Sequence, residues 1–238
     1  MFDPLVNVSW FSGLMWLGAI ALAAFLVAWI FSDLRPTARA IYIPVLAVVT
    51  GSLTVAYLTW SKTGASFWPN HWVYGIVGAV VAGTLLTIVL NRERIPGLKP
   101  HGVTASTIAW DGIVYGAAEG LLLSVLPVLV TWQMLASNGW ESGWRSIAAA
   151  VIAVAASVIT IIVHHLGYPD FRTTGLKMRQ AVLGCGLLSV AFLLTASVIA
   201  PAAAHAILHV VAVRKGMELP PHAEVPGPLS SVGRPEAA

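Results

Sequence analysis

The sequence predicts an all-α fold, a polytopic membrane bundle of about seven helical spans with a short final helix. Three observations carry this. Of 238 residues, 58% are hydrophobic and 10% are charged, whereas a soluble domain carries about a quarter charged residues, so a polar shell around one core is excluded. Apolar runs of about 20 residues, long enough to cross hydrocarbon as helices, recur along the chain. The loops between them alternate in basic content, as the positive-inside rule requires of a multi-pass protein. A net charge of +3 is too small to argue for nucleic acid as a partner. The expected partner is the lipid bilayer.

The runs lie near 10–32, 40–60, 71–90, 109–135, 146–166 and 180–200. They read as helices because apolar residues continue on every side and open sheet edges find no hydrogen-bond partners in lipid. The first run follows Asp3 and has no basic flank, which favours a retained helix over a cleaved signal. A final run, 201–213, follows Pro201. At 1.5 Å per residue it covers only about 20 Å. It is either a short helix of its own or the continuation of one kinked at Pro201. Residues 1–215 form one integral membrane domain, and the Pro-rich segment 216–238 is expected to be a disordered cytoplasmic tail. The one cysteine, Cys185, permits neither an intrachain disulfide nor a CxxC metal motif.

Orientation follows from lysine and arginine. With seven segments, the loops that share one side hold Arg35, Arg39, Arg92, Arg94, Lys99, Arg172, Lys177, Arg179, Arg214, Lys215 and Arg234. The other side holds Lys62 and Arg145. Eleven against two places the amino terminus outside and the carboxyl terminus in the cytoplasm of a cell-membrane protein. Trp60, Trp68, Trp72, Trp132, Trp140 and Trp144 then fall at outer helix ends, where indoles favour the interface.

Ionisable residues within the spans carry the functional signal, because each is costly in hydrocarbon unless it faces protein or water. They are Asp111, Glu119, His164, His165, His205 and His209. Asp111, beside Trp110, reads as a helix-start residue. Glu119 sits in the inner half of the fourth span, next to Gly112, Gly116 and Gly120, whose spacing of four suits a close-packed helix seam. Tyr115 shares its face, one turn earlier. His205 and His209, four apart, share one helix face. His164 and His165 point about 100° apart, so one is expected to join a shared site and the other to reach the headgroups.

The stretch 161–213 resembles the CAAX-protease and bacteriocin-processing (CPBP) family of intramembrane proteases, whose motifs are EExxFR, FxxxH and HxxxN. IIVHHL, residues 161–166, is similar to the second motif, with Ile161 at the aromatic position and His165 as its histidine. Residues 184–209 are similar to the last two helices, placing His205 at the motif histidine and His209 where asparagine is usual. YGAAEGLLLS, residues 115–124, resembles the first motif, with Glu119 as its first glutamate. Gly120, Leu123 and Ser124 then stand where the family has glutamate, phenylalanine and arginine.

The resemblance implies an endopeptidase acting on a membrane-embedded peptide, or a degenerate relative without the chemistry. Glu119 and His165 would activate water, and His205 and His209 would stabilise the oxyanion, with no cofactor. The residues by themselves leave two other readings open. Glu119, His165, His205 and His209 also suit a zinc site with three protein ligands and an open position, and the same cluster could relay protons or solute.

Overall fold

A computed structural model of the chain describes residues 6–34, 39–63, 67–69, 71–92, 103–173 and 175–215. The tail from 216, and Arg35, Arg94, Lys99 and Arg234 among the basic residues, lie outside the described residues.

Every regular element among the described residues is helical. Six helices are long and apolar enough to cross a membrane. They are α1 (Trp10–Leu34), α2 (Arg39–Trp60), α3 (Trp72–Arg92), α4 (Ala105–Ser137), α5 (Gly143–Leu166) and α7 (Gly175–Thr195). A short α6 (Pro169–Thr173) precedes α7, and α8 (Ile199–Arg214) closes the bundle with 16 residues. The chain is therefore a multi-pass helical membrane protein.

Local sequence sets the helix ends. The Ser9 hydroxyl accepts the Ser12 N–H at 3.2 Å at the start of α1, satisfying a donor that a helix start leaves free. Thr104 Oγ1 does the same for Thr107 at 3.1 Å, so α4 begins well before Asp111. Asp111 is thus an interior residue of α4 and not its start. The last two helices are separate, and the break falls at Ala196–Val198 rather than at Pro201. Ala196 takes a left-handed φ of 50°, which ends α7. Pro201 sits in the first turn of α8, where its missing N–H breaks no intrahelical bond.

The most enclosed span is α4: 78% of its apolar window is buried, against 22–39% for the others. The rest of the bundle is therefore arranged around it. Leu122, Leu123, Leu126 and Leu129 of α4 are fully enclosed together with Ile20, Leu46 and Phe192 from α1, α2 and α7.

Alongside α3, α8 runs in the same direction. A Cβ on Gly75 would stand 3.0 Å from Ile199 Cβ, one on Gly83 3.0 Å from Ile207, and Lys215 Nζ donates to the Leu90 carbonyl at 2.7 Å. Arg92, Arg214 and Lys215 thereby share the end of the bundle that also holds Arg172, which pairs with Asp33 at 2.8 Å. Trp60, Trp68, Trp72, Trp140 and Trp144 lie at the opposite helix ends.

Candidate functional site

Three glycines of α4 bring the site together. A methyl group on Gly116 would stand 2.7 Å from Ala206 Cα and 2.9 Å from the His205 carbonyl oxygen. One on Gly120 would meet the Pro201 carbonyl oxygen at 3.0 Å, and one on Gly112 would meet Val210 at 2.6 Å. The seam expected from the spacing of four is the α4–α8 contact, and it turns His205 and His209 toward Glu119. The α4 backbone is unusual here. Residues Ile108–Val114 and Gly120–Val125 are π-helical, flanking the α-helical turn Tyr115–Glu119. Such stretches are rare and concentrate at functional positions. Neighbouring side chains support the second stretch: the Ser157 hydroxyl donates to the Leu123 carbonyl at 2.6 Å and pairs with Ser189 at 2.7 Å.

Glu119 is the hub, with 4% of its surface exposed. Its Oε1 accepts the Tyr115 hydroxyl at 2.7 Å and lies 3.2 Å from His164 Nε2. Its Oε2 lies 3.1 Å from His209 Nε2 and 3.6 Å from His205 Nε2. The two α8 rings are 4.7 Å apart, and the Tyr115 ring meets His209 edge-on at the same distance. Three helices, α4, α5 and α8, therefore converge on one buried carboxylate.

His164, expected to point elsewhere, is the α5 histidine that touches Glu119. Its Nδ1 lies 2.9 Å from the Ala24 carbonyl of α1, and a carbonyl only accepts, so this nitrogen carries a hydrogen. In a neutral ring Nε2 would then face Glu119 Oε1 as a bare lone pair. Tyr168 also reaches Nε2, at 3.2 Å, and is paired with Tyr42. Burial pushes the Tyr168 phenol well above its usual range, so it remains a hydroxyl.

His165 does not reach the headgroups. It is buried, its Nδ1 donates to the Ile161 carbonyl at 2.8 Å, and its ring lies 4.5 Å from that of Phe171. The cause is the fold-back after α5. Gly167 sits so close to α1 that a Cβ would meet Ala28 Cβ at 2.6 Å. Ser32 Oγ and Arg172 Nη2 both donate to its carbonyl at 3.2 Å. This holds α6 over His165 and turns Tyr168 inward.

Glu119, His205 and His209 each offer one ligand atom, and these atoms lie within 4.8 Å of one another. An apolar cleft of about 580 Å³ between α4 and α8, lined by Ile113, Ala117, Ala202 and Ile207 among others, contains none of the ionisable residues of the site.

Fold and site together define a polytopic membrane protein with a buried glutamate–histidine centre. No protein-family profile, curated protein or solved structure matches the chain.

Proposed function

We propose that the chain is a CPBP-like intramembrane hydrolase that cuts a membrane-embedded peptide with water activated at Glu119. The observation that supports this reading is the division of labour around one carboxylate: His164 with Tyr115 on Oε1, and His205 with His209 on Oε2. Peptide hydrolysis needs a base for the proton of water and donors for the developing oxyanion. Glu119 and His164, in contact at 3.2 Å, take the first role. The α8 histidines take the second, presenting Nε2–H groups on the other side of the carboxylate. His164 replaces His165 in this scheme, which moves the second motif back by one residue, with Thr160 at the aromatic position.

The departures from the family pattern have physical counterparts. Gly120 stands where the second glutamate would be, and α8 passes too near for a side chain there. Ser124, at the arginine position, is buried and donates to the Cys185 carbonyl at 3.2 Å. The chemistry rests on one carboxylate. In orientation, the eleven basic residues face the cytoplasm and the amino terminus lies outside. Glu119 then works in the inner half of the bilayer.

The test is cleavage of a panel of transmembrane peptides by protein reconstituted in liposomes, with Glu119→Gln as the control. Cleavage that survives this substitution, or none by the wild type across the panel, would sink the proposal.

A further inference from the structure

We infer that Glu119, His205 and His209 form a binding site for one divalent transition-metal ion of the zinc class. The inference rests on the centre of the hydrolase reading but gives the α8 histidines another role, with Nε2 offering a lone pair to an ion in place of an N–H to the oxyanion, and ion binding can be measured without any substrate.

Geometry is the first support. Zinc binds histidine nitrogen and carboxylate oxygen at about 2.0–2.1 Å in tetrahedral sites, which puts neighbouring ligand atoms about 3.3–3.4 Å apart. Glu119 Oε2 lies 3.1 Å from His209 Nε2 and 3.6 Å from His205 Nε2, on either side of that value. Chemistry is the second. Two imidazoles and a carboxylate are a donor set that suits zinc and its first-row neighbours over magnesium or calcium. Three protein ligands leave the fourth position for a water. The helix supplies the third support, because residues four apart on α8 aim both rings at one point.

All three ligand side chains are buried, so an ion there would compensate a carboxylate inside the bundle. It would also supply the positive charge that the oxyanion otherwise takes from the two histidines. His205 Nδ1 and His209 Nδ1 are buried without a hydrogen-bond partner among the described residues. Metal-bound histidines normally donate this N–H to an acceptor, and loss of that outer partner lowers affinity about 10–100-fold. The site is therefore labile, emptied by a chelator and refilled on addition of the ion.

The experiment uses full-length protein in detergent, washed with a chelator and titrated with zinc or cobalt chloride. Bound metal is counted by mass spectrometry, and the cobalt geometry is read from its visible absorption. One ion per chain with a tetrahedral cobalt spectrum is expected. His205→Ala and His209→Ala should each weaken uptake by more than the roughly 10–100-fold of an outer-shell loss, while His165→Gln retains the ion. Gel filtration and thermal unfolding confirm that each variant is folded. An unfolded alanine variant is replaced by His205→Gln or His209→Gln. Uptake at background level, or uptake indifferent to both α8 histidines, overturns the site. Peptide cleavage by stripped protein that takes up no ion leaves the hydrolase standing without the metal. Ion uptake with no cleavage does the reverse.

Discussion

The Cα of Ala206 lies 2.7 Å from where a Cβ on Gly116 would stand. A backbone atom cannot step aside as a side-chain tip can, so α8 must move if residue 116 gains a methyl group. Gly116→Ala is therefore expected to destabilise the folded protein by about 1–3 kcal/mol, the usual cost of overfilling a packed contact. Because α8 carries His205 and His209, the substitution should also reduce any activity or metal uptake. Gly18→Ala is the comparison, since nothing lies within 4 Å of a Cβ there. Thermal unfolding in detergent distinguishes them. Equal melting temperatures for the two variants would contradict the seam.

His164 and His165 are adjacent yet differently employed, which gives a paired test. His164→Gln removes the ring held between the Ala24 carbonyl and Glu119. It should cost about 1–3 kcal/mol, as unpairing buried polar groups does, and should abolish hydrolysis. His165→Gln loses the ring contact with Phe171 and should leave most activity in place. Loss of cleavage in the second variant alone would restore the register that the resemblance suggested.

The spans could be read to within a few residues, because a run of about 20 apolar residues has few alternatives in lipid. The glycine seam was legible too, since a spacing of four keeps small residues on one helix face. Pro201 misled about the helix break. A proline can begin a helix as well as bend one, and the break came instead from the left-handed Ala196.

The choice between His164 and His165 depended on α6 folding back, a contact no local pattern reports. One signal was available: Ala149, Ala153, Ser157, Thr160 and His164 form a buried stripe of small and polar residues, and continuing it selects His164. The π-helical stretches of α4 had no counterpart in composition or periodicity.

The division of basic residues gives a prediction about sidedness. A reporter fused after Lys215 should be cytoplasmic, and one inserted between Trp60 and Asn70 should be exported. Lys215 Nζ bonds the Leu90 carbonyl and so ends α8 level with α3, which makes a fusion after Lys215 report the same side as the end of α3. Alkaline phosphatase and fluorescent-protein fusions read the two sides. Both positions reporting one side would overturn the arrangement.

The chemistry is tested most sharply at Glu119 and His209 together. Glu119→Gln keeps the shape of the side chain and can still accept from Tyr115, but it removes the base. Hydrolysis should fall by roughly 10²–10⁴-fold, the usual contribution of a positioned acid–base group. His209→Asn installs the residue usual in the CPBP motif while keeping a hydrogen-bond donor on the Glu119 side of α8. If His209 acts only as a donor to the oxyanion, cleavage is preserved or rises and no ion is involved. If His209 is a metal ligand, asparagine lowers ion occupancy and cleavage in parallel, and added zinc partly restores both. The two results are read from one preparation, by peptide cleavage and by metal content. Activity lost in His209→Asn with ion occupancy unchanged would contradict both roles and leave His209 as a support for Tyr115, whose ring it meets edge-on at 4.7 Å.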